Sequence, residues 1–131
     1  MKKLVACRWL ALFAFILGAA SARAQDAAVV AKDHYRVLLD NAYVRVVENT
    51  LKPGEKDPMH THPAGWFYVT QPGTMKVVHS GGKVQTWAAK AGEKGWSEAE
   101  GPHTSENVGT ATMSFVLVEV KGAASAPVKK R

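Results

Sequence analysis

Short apolar runs separated by turn residues are the feature that most constrains the fold. Beyond residue 24, runs rich in β-branched and aromatic residues alternate with Gly, Pro, Asn and Asp at intervals of roughly eight to twelve residues. The runs predict strands at 35–39, 43–51, 65–70, 74–79, 83–88, 95–97, 103–107 and 112–120. No stretch beyond residue 24 has the long 3.6-residue period of a helix. The pattern predicts an all-β barrel or sandwich.

The first 24 residues have the composition of an export signal. Three basic residues lie near the start, residues 9–20 are apolar, and small residues end the segment at Ala24. This predicts a signal peptide, 1–24, and therefore a periplasmic or secreted protein. A transmembrane anchor is an alternative, but it needs about twenty apolar residues. Lipid attachment at Cys7 is another, but Cys7 precedes the apolar run instead of following it.

Cleavage after Ala24 leaves 107 of the 131 residues, which suits one small domain. Cys7 is the only cysteine, so the mature chain has no disulfide and no thiolate. Four of the 17 basic residues leave with the signal and none of the 11 acidic ones does, so the net charge falls to +2. The barrel domain is predicted at 25–122, and segment 123–131 is predicted to be a disordered tail. Three of the remaining basic residues lie in this tail. Without a basic face on that domain, nucleic-acid binding is disfavoured, and after cleavage no stable membrane insertion is expected.

Three histidines are spaced so that they can converge on one metal ion. His60 and His62 lie two residues apart, so their side chains leave the same face of a strand, and His103 follows forty-one residues later. Neutral imidazole nitrogen suits divalent transition metals. For an isolated pair, the alternative is two exposed histidines beside a turn. Pro58 and Pro63 flank the pair, which predicts a short strand or bulge at a sheet edge.

The residues around these histidines resemble the two motifs of the cupin superfamily. The first motif reads Gly54-x5-His60-x-His62-x3-Trp66-x6-Gly73. The second reads Gly92-x5-Glu98-x-Glu100-x2-His103-x3-Asn107. The resemblance spans about residues 35–120. It implies a single-domain cupin-like β-barrel (a double-stranded β-helix or jelly roll) that holds one divalent transition metal (Fe, Zn, Mn, Ni or Cu) at His60, His62 and His103.

The departures from the family pattern lie beside the expected metal site. Trp66, or Phe67 if the longer spacing applies, stands where the family usually has a metal-binding Glu. In the matched register Trp66 and Tyr68 share a face, so both are expected to line the pocket. Glu98 and Glu100 replace the family's Pro and Gly, and Glu100 is the candidate to replace the lost carboxylate or to act as a base. Alternatively, these acids are solvated loop charges.

The predicted strand at 112–120 is apolar on both faces, so its outer face needs a cover. A second subunit is one candidate, as in the dimers common among proteins that this chain resembles. The chain's own N-terminal segment is the other.

Three functions are compatible with this pattern. Three neutral imidazoles leave the +2 charge of a divalent ion uncompensated, which favours an anionic ligand. We therefore predict a secreted metal-binding protein with a small, anionic ligand in the barrel pocket. The first alternative is a three-histidine non-haem Fe(II) dioxygenase, because similar ligand sets occur in thiol dioxygenases and in some enzymes that cleave diketones. The second is a non-catalytic barrel without metal.

Overall fold

The structure is a computed structural model that describes residues 26–122. The predicted signal peptide and the predicted tail lie outside these residues. A short helix, α1 (Ala27–Val30), precedes nine strands. The strands are β1 (Tyr35–Asp40), β2 (Val44–Leu51), β3 (His60–His62), β4 (Gly65–Gln71), β5 (Gly73–His79), β6 (Val84–Ala89), β7 (Lys94–Ser97), β8 (Glu100–Asn107) and β9 (Met113–Val120).

The strands form two antiparallel sheets around a common interior. One sheet has the order β1-β2-β9-β4-β7 and the other the order β3-β8-β5-β6. Successive strands alternate between the sheets in places, as in the jelly-roll and double-stranded β-helix architectures. The predicted all-β barrel is confirmed. The predicted strand ends agree with the observed ones to within one residue, except that β8 begins at Glu100 and not at His103.

One end of the barrel interior, which we call the apolar end, is filled by side chains that exclude water. The end of β2 pairs with the start of β9 here, so that Leu51 lies opposite Met113. Gly73 fits against Met113 so closely that an added Cβ would lie 2.6 Å from the Met113 Cβ. The buried residues of the apolar end are Leu51, Val69, Met75, Val77, Ala89, Met113 and Phe115.

The other end, which we call the polar end, holds His60, His62, His103, Tyr35 and Glu119, and α1 packs beside it. Buried Ala27 and Ala31, in and just after α1, join a small cluster with Tyr35 and Val47. Asp26 caps the helix by accepting a hydrogen bond from the Ala28 N–H at 2.9 Å. Across residues 26–122, none of the helical structure has the length and apolar character that a membrane span requires.

The outer face of the five-stranded sheet carries a row of apolar side chains. Strand pairing aligns Leu39, Val46, Val118, Trp66 and Trp96 across it. Three of them, Leu39, Trp66 and Trp96, are exposed. The helix α1 packs against Val47 and Leu117, which belong to the inner face. Within residues 26–122 the N-terminal segment therefore does not cover this outer face.

Candidate metal centre

The fold brings the three histidines together at the rim of the four-stranded sheet. His60 and His62 lie on β3, an edge strand, and His60 pairs directly with His103 on β8. The register shifts between His60 and His62, which is the predicted irregular edge strand. One nitrogen from each ring lies within 4.8 Å of the other two, so this group could hold a metal ion.

Backbone carbonyls fix the orientation of two of the rings. His60 Nδ1 donates to the Pro58 carbonyl at 2.7 Å, and His103 Nδ1 donates to the Gly101 carbonyl at 2.8 Å. A carbonyl only accepts hydrogen bonds, so Nδ1 must carry the proton in both rings. The lone pair of each neutral imidazole is therefore on Nε2.

A chain of charged groups orients the third ring. His62 Nδ1 donates to Glu119 Oε1 at 3.1 Å, and Arg45 Nε donates to Glu119 Oε2 at 2.6 Å. Arg45 also donates to Asp26 at 2.5 Å. Burial raises the pKa of Glu119, but the hydrogen bonds from His62 and Arg45 outweigh burial and hold the pKa below its ordinary value. Glu119 is thus a buried carboxylate that holds His62 with Nε2 free.

The donor set fits a divalent transition metal. Burial lowers the pKa of His60 to about 4 and also lowers the pKa of His103, so both rings are neutral at pH 7. Neutral imidazole with its second nitrogen held by a carbonyl or carboxylate is the usual form of a metal-binding histidine. Three such nitrogens leave positions open for a further ligand.

Tyr35, from the first strand, reaches the same group of nitrogens. Its hydroxyl lies 3.2 Å from His62 Nε2 and 3.5 Å from His60 Nε2. Burial, together with the negative charges of Asp57, Glu119 and Glu100, raises the pKa of Tyr35 well above its ordinary value. Without a metal, the phenol is therefore protonated and can donate to one of the two nitrogens.

A buried carboxylate, Asp57, supports the loop that leads into β3. It accepts hydrogen bonds from His34 Nδ1 at 2.6 Å, from Asn49 Nδ2 at 3.2 Å and from Ser105 Oγ at 3.0 Å. His34 lies just before β1, Asn49 lies on β2 and Ser105 lies on β8. Asp57 therefore ties three elements together three residues before His60.

A cavity of about 290 Å³ opens between the histidines and the apolar end. Its apolar lining includes Phe67, Met75, Val77, Trp87, Phe115 and Leu117, and its polar lining includes Tyr35, His62, His103, Glu100 and Glu119. The Glu100 carboxylate lies 3.7 Å from His103 Nε2 and 3.8 Å from His79 Nε2. The cavity thus combines an apolar wall with a polar wall at the three histidines.

The expectation that Trp66 and Tyr68 line this pocket is wrong. Both side chains lie on the outer face and are partly exposed, at 38% and 37%. Phe67 faces inward instead, where it packs against the core and lines the cavity. The longer spacing in the first motif is therefore the one that matches this structure, and because side chains alternate, a shift of one residue exchanges the two faces.

Sequence reasoning missed Tyr35, Glu119 and Asp57. Glu119 had a signal in the sequence, since it is the only charged residue in the mostly apolar strand β9. A lone charge on a buried strand usually has a partner inside the protein. Tyr35 and Asp57 had no such signal, because neither belongs to a motif.

The fold is similar to that of known cupin proteins. A cupin domain from Bordetella pertussis Tohama I matches with a TM-score of 0.62 and 22% identity, over 67% of this chain and 92% of that one. A conserved protein with a double-stranded β-helix domain from Klebsiella pneumoniae matches with a TM-score of 0.55 and 26% identity, over 70% of this chain and 78% of that one. An RmlC-like cupin family protein from Methanocaldococcus jannaschii matches with a TM-score of 0.54 and 16% identity, over 66% of this chain and 77% of that one.

No family model matches the sequence, and no curated protein matches it. The likeness is therefore one of fold, and it agrees with the fold that the two sequence motifs imply. The chain has the cupin fold, a double-stranded β-helix in a single small domain.

Proposed function

We propose that this protein binds one divalent transition metal through His60, His62 and His103 and binds a small ligand in the adjoining cavity. One observation carries the proposal. All three imidazoles have Nδ1 committed to a fixed acceptor, and their rings meet with Nε2 available. Histidines that served only to fill the core would not need the same nitrogen, Nε2, to stay available in each ring.

The two walls of the cavity define the class of ligand. A bound divalent ion would act as a Lewis acid and would attract an anionic group, because its three imidazole ligands carry no charge. Opposite the histidines, Phe67, Trp87 and Phe115 offer aromatic surface. A volume of about 290 Å³ lies at the lower end of the range for ligand pockets. We infer a small anion with an apolar body, such as an aromatic or branched aliphatic carboxylate.

Titrations of the Co(II)-loaded protein with benzoate and acetate test this assignment. Both anions should change the visible spectrum of the bound Co(II). Benzoate should bind about tenfold more tightly or better, because its ring buries roughly 100 Å² of apolar surface at about 25 cal/mol per Å². Equal affinities for the two anions, or an unchanged spectrum, would contradict the proposal.

Adjacent residues of β4 provide a matched pair of variants for this titration. Phe67→Ala removes part of the cavity wall, so the preference for benzoate over acetate should shrink severalfold. Trp66→Ala removes a larger ring from the outer face, so the preference should be unchanged. Reversed effects of the two substitutions would place the binding surface outside the barrel.

We further propose that the protein is exported and acts in the periplasm or outside the cell. The proposal rests on the basic start, the apolar run and the small residues before Gln25. Intact-mass measurement of the exported protein should give a chain that begins at Gln25. A chain that retains Met1 would exclude the cleavage.

We propose a homodimer in which a second copy covers the apolar row on the outer face of the five-stranded sheet. Trp96 is 49% exposed at the edge of this row and Leu39 is 49% exposed at the opposite edge. In sedimentation velocity the wild type should be a dimer, and Trp96→Lys should be a monomer because it places a charge in the apolar row. A monomeric wild type would exclude this arrangement.

A further inference from the structure

Tyr35 differs from the other tyrosines of the chain in its surroundings. The sequence contains three tyrosines. Tyr43 is 79% exposed and Tyr68 is 37% exposed, whereas Tyr35 is 5% exposed. A buried hydroxyl normally has a fixed polar partner. The partners of the Tyr35 hydroxyl are His60 Nε2 and His62 Nε2, two of the three nitrogens proposed to bind the metal.

The distances suit a ligand position as well as a hydrogen bond. With metal–ligand bonds of about 2.0–2.1 Å, neighbouring ligand atoms lie about 2.9–3.4 Å apart, and a metal with five or six ligands keeps a position for the small anion proposed above. The Tyr35 oxygen is 3.5 Å from His60 Nε2 and 3.2 Å from His62 Nε2. It therefore stands where a further ligand atom would stand beside these two nitrogens.

Other oxygen donors are less well placed for this role. The Glu100 carboxylate lies 3.7 Å from His103 Nε2, and its side chain is 30% exposed. Glu119 is occupied by His62 Nδ1 and Arg45, on the far side of the His62 ring from Nε2. Phe67, at the inward position of β4, has no donor atom at all. Tyr35 is the oxygen that two of the histidine nitrogens share.

We propose that Tyr35 is the fourth protein ligand of the metal and takes the place of the carboxylate that the cupin pattern usually supplies. This inference rests on the three-histidine metal site proposed above. The bond forms between the phenolic oxygen and the metal, and the phenol proton is released to solvent. One negative charge then reduces the net charge of a divalent centre from +2 to +1.

Spectroscopy of the Cu(II)-loaded protein tests the assignment without any activity measurement. A phenolate bound to Cu(II) produces a charge-transfer band in the visible region and tyrosinate vibrations in resonance Raman spectra. The wild type should show both signals with one equivalent of Cu(II). Tyr35→Phe should lose both signals and keep the copper on its three histidines, with an affinity lower by about tenfold or more. Tyr68→Phe is the matched control and should keep both signals.

A second form of the experiment applies if Tyr35→Phe does not fold. In the double variant Tyr43→Phe/Tyr68→Phe, Tyr35 is the only tyrosine left in the chain. Ring-deuterated tyrosine incorporated into this variant should shift the Raman bands of the copper complex. Unshifted bands would overturn the Tyr35 assignment.

The outcomes distinguish a failure of the Tyr35 ligand from a failure of the three-histidine site. One equivalent of Cu(II) without tyrosinate signals would overturn the role of Tyr35 and leave the three-histidine site intact. Tyrosinate signals that persist in folded Tyr35→Phe would also overturn it. A wild type that binds no Cu(II) would overturn the three-histidine site and the Tyr35 ligand together.

Discussion

The two ends of the barrel interior are held by different forces. At the apolar end, Leu51, Val69 and Met113 are fully buried and are held only by packing. At the polar end, His60 is just as deeply buried but is held by a directed hydrogen bond from Nδ1. Packing is distributed over many weak contacts, whereas each ring of the polar end depends on one acceptor.

Stability and metal binding are therefore separable in this protein. Seven residues share the apolar end, and none of them is a histidine or a carboxylate. The polar end buries histidines and a carboxylate at a cost in desolvation, and it holds every nitrogen proposed to bind the metal. Substitutions at the two ends should therefore change different measurements.

The largest effect on stability is expected at the apolar end. Leu51→Ala removes a fully buried side chain and leaves a cavity, so the free energy of unfolding should fall by about 2–5 kcal/mol. Urea unfolding of the metal-free protein measures the loss. The folded variant should still bind one equivalent of metal. Loss of metal binding in the folded variant would show that the two ends are coupled.

The pH dependence of stability tests the polar end. In the folded protein the pKa of His60 is lowered to about 4, against about 6.5 in the unfolded chain. Between these values the unfolded chain binds the extra proton, so the free energy of unfolding should decrease as pH falls from about 6.5 to about 4. The contribution of His60 is about 3 kcal/mol. This contribution is fully present above about pH 6.5 and is lost as the pH falls to about 4.

Urea unfolding of the metal-free protein at pH 7, 6, 5 and 4 measures this dependence. His60→Gln has no ring to protonate, so its free energy of unfolding should change less over the same interval. Unfolding of this variant should take up about one proton fewer per molecule. Equal pH dependence in the wild type and in His60→Gln would mean that His60 is not buried as a neutral ring.

A smaller effect is expected from the carboxylate that orients His62. Glu119→Gln removes the negative charge that accepts the hydrogen bond from His62 Nδ1, so metal affinity should fall by about 10- to 100-fold. Competition with a chelator of known affinity measures the change. Glu48→Gln is the matched control, because Glu48 pairs with Arg36 away from the cavity. Equal affinities in the two variants would exclude an orienting role for Glu119.

The smallest effect is expected on the outer face. Trp66→Glu adds a carboxylate at the position expected from the shorter motif spacing, but the side chain points away from the histidines. The Mn(II) affinity of the folded variant should therefore change by less than about twofold. Tighter Mn(II) binding, as expected for a new carboxylate ligand, would mean that β4 has the other register.

The strands and the three histidines could be predicted because their signals are local. Turn residues mark the strand ends, and a His-x-His pair places two rings on one face of a strand whatever surrounds it. His103 followed from the second motif of the resemblance. Its pairing with His60 across two strands then brings the three rings together.

The inward residues of β4 and the partners of the histidines could not be predicted in the same way. Trp66 and Phe67 are both apolar, so the sequence permits either register of β4, and pairing with Leu117 is what turns Phe67 inward. Tyr35 and Glu119 meet the histidines only through strand order, from positions 25 to 57 residues away along the chain. Such partners depend on the assembled barrel.

The metal content of the histidine variants tests whether His60, His62 and His103 hold one metal ion. After loading and dialysis, elemental analysis should find one equivalent of Zn(II) in the wild type and in His79→Ala, whose ring contacts Gln85 and Glu100. His60→Ala, His62→Ala and His103→Ala should each retain much less than one equivalent, because two nitrogens bind the ion far more weakly than three. A wild type without bound zinc, or a full equivalent in any of the three variants, would contradict the site.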